Sequence, residues 1–334
     1  MRLLVTGGAG FIGSNFIRHI LTAHPEWYVC NLDKLTYAGN LENTTEFADN
    51  PNYRFLKGDV ADREIVEPLV KWANIIVHFA AETHNDRSVM DAGEFITTDV
   101  FGTFVMLECA KQHGVDKFIH ISTDEVYGDS LTEASTERSP LMPKSPYAAS
   151  KAGADRLAFS YWATHKVPVI ITRCSNNYGP CQLPEKMIPL FATNAIEDKP
   201  LPVYGEGTNK RDWIHVLDHC RAIELLILEA ERFGEVYNVS SGHEVTILEM
   251  CDRILGTLGK PKELIQFVVD RPGHVLRHFV ASEKIRREFN WSPKIEFEDG
   301  IKQTVLWYKD NPDWWHKIKE RLANYYNKQY VERT

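Results

Sequence analysis

The chain has 334 residues, 43% of them apolar and 25% charged, with a formal net charge of −8. Its length allows one large domain or two modest ones, each able to bury a core. The acidic balance and the lack of any basic run argue against a nucleic-acid partner, and no apolar stretch approaches the length of a bilayer span.

In chain order, the opening MRLLVTGGAG runs from a few apolar residues straight into glycines and is not read as a secretory signal. Strands are expected at 2–7, 28–33, 53–59, 75–81, 117–123 and 168–174, and helices at 12–23, 63–72, 94–113 and 146–165. Unbroken apolar runs such as Ile75-Ile76-Val77 suit a parallel sheet covered on both faces, because neither side of the strand then meets water. After about residue 175 the texture changes. Prolines at 180, 184, 189, 200 and 202 punctuate the chain, and 204–213 reads as a loop. A helix at 216–231, a strand at 236–241, a helix at 246–258 and a helical region rich in Trp and Tyr follow. Six scattered cysteines (Cys30, Cys109, Cys174, Cys181, Cys220, Cys251) show no CxxC spacing. Reduced, buried thiols in a cytoplasmic protein are the simplest account of them, and no metal is assigned.

Residues 6–13, TGGAGFIG, place Gly7, Gly10 and Gly13 after the first strand and at the opening of a helix. Glycines there permit a tight turn and let backbone N–H groups approach a pyrophosphate. Asp33 closes the second strand about twenty residues on, where a carboxylate can accept from ribose hydroxyls. An acid at that point repels a 2′-phosphate, so NAD is expected over NADP, with Lys34 working slightly the other way. The strand–helix repeat and this loop together predict an α/β fold, a Rossmann-type doubly wound parallel sheet with a smaller mixed C-terminal substrate domain. The expected division is a NAD-binding domain over 1–175, with a return segment near 213–241, and a nucleotide-sugar-binding domain over 176–212 and 242–334.

SPYAASK holds Tyr147 and Lys151 one helical turn apart, the pattern of short-chain dehydrogenases and reductases of the extended form. A lysine ammonium there lowers the phenol pKa, so that the tyrosine can act as a base. Thr123, at the end of the preceding strand, adds a hydroxyl for the substrate oxygen. This set suffices to oxidise a carbinol. HISTDEVYGD then places Asp124 and Glu125 directly after Thr123, and oxidation alone has no use for two adjacent acids. A ketone at sugar C4 acidifies the C5–H. One carboxylate can remove that proton while a neighbouring acid protonates the departing C6 hydroxyl, provided their pKa values differ.

The chain resembles the nucleotide-sugar 4,6-dehydratases of the extended short-chain dehydrogenase/reductase superfamily, and most of all those acting on dTDP-glucose. The likeness is carried by VTGGAGFIGSN, LDKLTYAGNLEN, AAETHNDRS, HISTDEVYGD, SPYAASKAGADRL, CSNNYGP, PEKMIPL, LPVYGEG, RDWIHVLDH, YNVSSG and RPGH. It implies a lyase with tightly bound NAD that oxidises C4, eliminates water across C5/C6 and returns the hydride to C6. Tyr147 would be the base at the C4 hydroxyl, assisted by Lys151 and Thr123, with Asp124 the acid at C6 and Glu125 the base at C5. The cofactor set would be Gly7, Gly10, Phe11, Ile12, Gly13, Asp33, Lys34, Thr36, Asp59, Val60, Ala80, Ala81, Tyr147 and Lys151. The substrate set would be His84, Thr123, Asn177, Lys186, Met187, Pro202, Tyr204, Arg211, Asn238, Arg271 and His274. A homodimer pairing through the helices near 94–113 and 146–165 is also implied.

Asn85, Asp99, His215, Val275 and His278 depart from the pattern usual in dTDP-glucose enzymes. These departures leave open a UDP-sugar substrate, UDP-glucose or UDP-N-acetylglucosamine, and release of a 5,6-alkene. A 4-epimerase, a nucleotide-glucuronate decarboxylase and a non-enzymatic dinucleotide-binding regulator are the competing readings. None of these three explains Thr123, Asp124 and Glu125 together with Tyr147 and Lys151.

Overall fold

Neighbouring residues of the first strand, β1 (Arg2–Thr6), face different cores in the computed structural model, which describes residues 1–326. Leu3 and Val5 pack with Phe16, Ile17, Ile223 and Leu226, while Leu4 packs with Val66, Val70, Met106 and Leu107. Alternation along a strand sends successive side chains to opposite faces, so a strand apolar throughout has to be covered twice. The same holds for β4 (Ile75–His78), where Ile75 and Val77 join the first core and Ile76 the second.

The main sheet is built from β1, β2 (Tyr28–Asp33), β3 (Tyr53–Lys57), β4, β5 (Lys117–Thr123), β6 (Val169–Cys174) and the later β10 (Glu235–Val239). All pairs are parallel, in the order β10-β6-β5-β4-β1-β2-β3. α1 (Phe11–Ala23) and α8 (Val216–Glu229) cover one face. α2 (Arg63–Trp72), α5 (Thr103–His113) and α6 (Pro146–His165) cover the other. The Rossmann-type sheet and the late return strand are as the sequence predicts. The strands expected to run to 59 and 81 stop at Lys57 and His78, and the continuations turn into loops that line the site.

A third core joins α7 (Met187–Ile196), α9 (Ile247–Leu258), α11 (Phe297–Asp310) and α12 (Pro312–Tyr326). Against it lies a small sheet of β7 (Asn176–Tyr178), β9 (Lys210–His215), β11 (Glu244–Thr246) and β13 (Arg277–His278), beside the pair β8 (Leu201–Tyr204) and β12 (Ile265–Val268). Half of the expected loop 204–213 is therefore strand. Lys210, Arg211 and Asp212 look solvated in sequence, yet β7, β11 and β13 all pair with β9 and bury it from Arg211 to His215. Residues 327–334, the end of the expected second domain, lie outside the described residues.

The helix expected at 94–113 is also interrupted. It begins as α4 (Gly93–Phe95), widens to a π-helical stretch over Ile96–Gly102, and tightens again into α5. Within the widened stretch, the buried Asp99 accepts from Glu82 N at 2.8 Å and from Ser150 Oγ at 2.6 Å. Widened turns of this kind often sit beside functional sites.

Candidate active site

The carboxyl ends of β1, β2, β4, β5 and β6 open onto one cavity of about 410 Å³, the place where a doubly wound sheet binds ligands. Gly7 (φ +72) makes the turn out of β1, and a side chain there would come within 2.7 Å of Ala80 N. A side chain on Gly13 would overlap the Gly7 carbonyl, so only glycine fits either position. Asp33 ends β2 and accepts from Ala9 N at 2.9 Å and Leu35 N at 2.8 Å, bracing the glycine loop. Lys34 is held by Asp59 at 2.8 Å, which offsets the cation that qualified the preference for NAD.

β5 delivers Thr123 to the cavity, and its hydroxyl accepts from Glu125 N as the cap of a 3₁₀ turn, Asp124–Tyr127. The turn separates the two acids. Asp124 is 2% exposed, with Oδ1 accepting from Thr123 Oγ1 at 3.3 Å and Oδ2 lacking any partner among the described residues. Burial first, then the nearby Glu125, pushes its carboxyl well above the usual range, which favours its protonated form. Glu125 is only partly buried and accepts from Asn85 Nδ2 at 2.7 Å. Adjacent acids thus occupy unlike environments, the arrangement that splits acid and base roles.

Tyr147 and Lys151 lie in the first turns of α6 and both line the cavity. Lys151 Nζ donates to the Ile121 carbonyl at 2.7 Å. The phenol differs from expectation: burial, followed by Glu125 and Asp99, pushes Tyr147 well up rather than down. The acids crowded into the same cavity oppose the lysine.

The other wall carries cations. Lys186 is partly buried, donates to Thr83 Oγ1 at 2.9 Å, and is pulled down by desolvation. The Arg211 guanidinium meets only carbonyl oxygens, of Lys210, Val275 and Leu276, and burial pulls it down to about 10. Among the described residues neither is ion-paired, whereas Arg271 contacts Asp86 at 3.3 Å. Cations drawn largely out of water without carboxylate partners favour an anionic ligand.

The family model for GDP-mannose 4,6 dehydratase matches residues 4–304. The dTDP-glucose 4,6-dehydratase of Streptomyces niveus is 50% identical over 96% of this chain and 96% of its own length. The dTDP-glucose 4,6-dehydratase DesIV of Streptomyces venezuelae, solved with NAD bound, superposes with a TM-score of 0.93 at 47% identity, over 96% of this chain and all of that one. The chain belongs to the nucleotide-sugar 4,6-dehydratases. A UDP-glucose 4-epimerase of Thermus thermophilus has a TM-score of 0.85 at 31% identity, over 93% of this chain and 100% of that one. The fold is therefore shared across chemistries.

All the cofactor and catalytic residues anticipated from sequence line the cavity of the dehydratase, as do the substrate residues except one. Asn238 lies in β10 and is fully buried away from the cavity. Its amide donates to the carbonyls of Ser135 and Ala281 and accepts from Tyr127 Oη, which makes it a structural bolt. Asn177 lines the cavity, yet its amide is engaged by Ser175 O and His219 Nδ1. Asp86 and Glu185 were not anticipated. Asp86 contacts Arg271 and Tyr204 Oη, and Glu185 pairs with Arg87 at 2.6 Å. Asp86 falls within AAETHNDRS, but the sequence does not tell that its carboxylate turns inward.

Proposed function

We propose that the dehydratase converts dTDP-glucose into its 4-keto-6-deoxy form. The observation that carries this reading is the pair of adjacent acids in unlike environments, Asp124 buried with its carboxyl pushed up and Glu125 only partly buried, beside Tyr147. Gly7, Gly10, Gly13 and Asp33 would hold NAD, and the side-chain-free turn at Gly7 and Gly13 fits a pyrophosphate against backbone. Held there, NAD would supply the acceptor for the sugar C4 hydride and its return to C6. Tyr147 takes the C4 hydroxyl proton, with Thr123 holding that oxygen and Lys151 opposing the phenolate charge. Glu125 removes the C5 proton, and Asp124 donates its proton to the C6 hydroxyl as it leaves as water. Lys186 and Arg211 face the diphosphate, which supplies the counter-charge they lack.

The homodimer reading draws support from Ile96, Phe101 and Phe104, which are exposed along the helical run over 93–113. A cytoplasmic location fits the six buried, free thiols. We read 1–175 with the return strand as the cofactor unit, and the remainder as the unit that closes over the sugar nucleotide. The test of function is mass spectrometry of purified protein with dTDP-glucose, UDP-glucose and UDP-N-acetylglucosamine in heavy water. Loss of water from dTDP-glucose with one solvent deuteron taken up supports the proposal. Loss only from a UDP-sugar replaces its substrate, and no loss from any of them removes the dehydratase reading for these sugars.

A further inference from the structure

Glu125 has three side-chain torsions and a partly exposed carboxylate, so something must hold it if it is to meet one particular C–H. We propose that Asn85 is a positioning residue for Glu125, fixing one carboxylate oxygen and linking it to the helix that carries Tyr147 and Lys151. Asn85 Nδ2 donates to Glu125 Oε2 at 2.7 Å, and Asn85 Oδ1 accepts from Ser145 Oγ at 2.5 Å. Ser145 is the N-cap of α6, its Oγ also accepting from Ala148 N at 3.1 Å. The chain of donors therefore runs from the start of α6 through one amide to the carboxylate. A carboxylate is an acceptor only, so the amide nitrogen has to face it and the amide oxygen has to face the serine hydroxyl. The opposite flip would place two acceptors together.

Asn85 is itself mounted rigidly. It opens α3 (Asn85–Met90), and its carbonyl accepts from Ser88 Oγ at 2.7 Å. The preceding His84 caps the helix at φ +100, a conformation rare outside glycine. His84 Nδ1 accepts from Asp86 N at 3.2 Å and Nε2 donates to the Glu185 carbonyl at 3.1 Å, so the imidazole is locked from both ends as one neutral tautomer. Burial agrees, pulling His84 down to about 4. With Oε2 taken by the amide, Glu125 Oε1 has no partner among the described residues and is the oxygen left to receive the C5 proton.

The inference rests on the proposed role of Glu125. It predicts that losing the amide harms elimination far more than the first oxidation, because Glu125 acts only on the C5 proton, after C4 has been oxidised. Full-length wild type, Asn85→Val, Asn85→Gln and Asn85→Asp would be given dTDP-glucose in heavy water. Reduction of bound cofactor would be followed in a single turnover, and loss of water by mass spectrometry. Valine removes both hydrogen bonds of the amide, and retained oxidation certifies the fold. Asn85→Val is expected to slow elimination roughly 10- to 100-fold, the scale of a misplaced catalytic group, with the C4-keto sugar accumulating. Asn85→Gln should recover part of the loss, and Asn85→Asp should fall below valine because like charges then face each other. Elimination by Asn85→Val at the wild-type rate, or a parallel loss of both steps, overturns the inference. Glu125→Gln in the same assay keeps the two ideas apart. If it eliminates normally, the base is misassigned; if it is slow while Asn85→Val is fast, only the role of Asn85 falls.

Discussion

The two ends of the cavity are built from different materials. The cofactor end is mostly main chain: a glycine turn, a helix N-terminus, and Asp33 tying one carboxylate oxygen to that turn and the other to the backbone of Leu35. The substrate end is mostly side chain, with Lys186, Arg211 and Arg271 arriving from segments that sequence separates widely and burial holds without full ionic pairing. A backbone site is specified locally and recognises what many ligands share. A side-chain site is assembled by the whole fold, and it is where the substrate is told apart.

The largest expected effect lies where the ends meet. Tyr147→Phe should lower the first oxidation roughly 10³-fold or more, read as reduced cofactor formed in one turnover, with both NAD and nucleotide still bound. Gly13→Val should act on one end only, since its side chain would overlap the Gly7 carbonyl. The purified protein is expected to lose its NAD but still bind dTDP by calorimetry; loss of both would break the contrast between the ends. Lys186→Met is the converse. It should weaken dTDP-glucose binding by about 100-fold, in line with the loss of a buried charge-assisted bond, and leave cofactor content unchanged.

The smallest effect concerns the brace behind both ends. Burial pushes the Asp99 carboxyl up to about 7, against about 3.9 in an unfolded chain. The folded state therefore keeps this proton longer. The contribution to stability is complete below about pH 4 and is lost as pH rises through about 7. Asp99→Asn cannot ionise, so it should gain stability on wild type as pH rises through that window. Melting midpoints that differ by the same amount at every pH would remove this reading.

The cofactor end was legible because its residues are consecutive and their glycines have a steric reason that needs no tertiary structure. Thr123, Asp124 and Glu125 were legible for the same reason, lying together at the end of one strand. What the sequence hid was long-range. β9 reads as a polar loop until three other strands bury it. Asn238 reads as a ligand residue, but Ser135, Ala281 and Tyr127 consume its amide. Nothing in the sequence tells that Arg87 is stacked between Tyr37 and Tyr325, 3.8 and 4.2 Å from the ring centroids, and salt-bridged to a buried Glu185. The direction of the Tyr147 shift was hidden too, since it depends on burial and then on carboxylates that only the fold brings near.

The late return of β10 has a consequence for anyone wishing to cut this chain. Strand β6 gets its outer neighbour only from residues 235–239, and α1 gets much of its cover from α8 at 216–229. A fragment ending near residue 175 would carry the whole glycine motif and still present a bare parallel edge and an uncovered apolar helix face, both invitations to aggregate. The dinucleotide half is thus not a detachable module, and a transplantable version would have to include the chain as far as Val239.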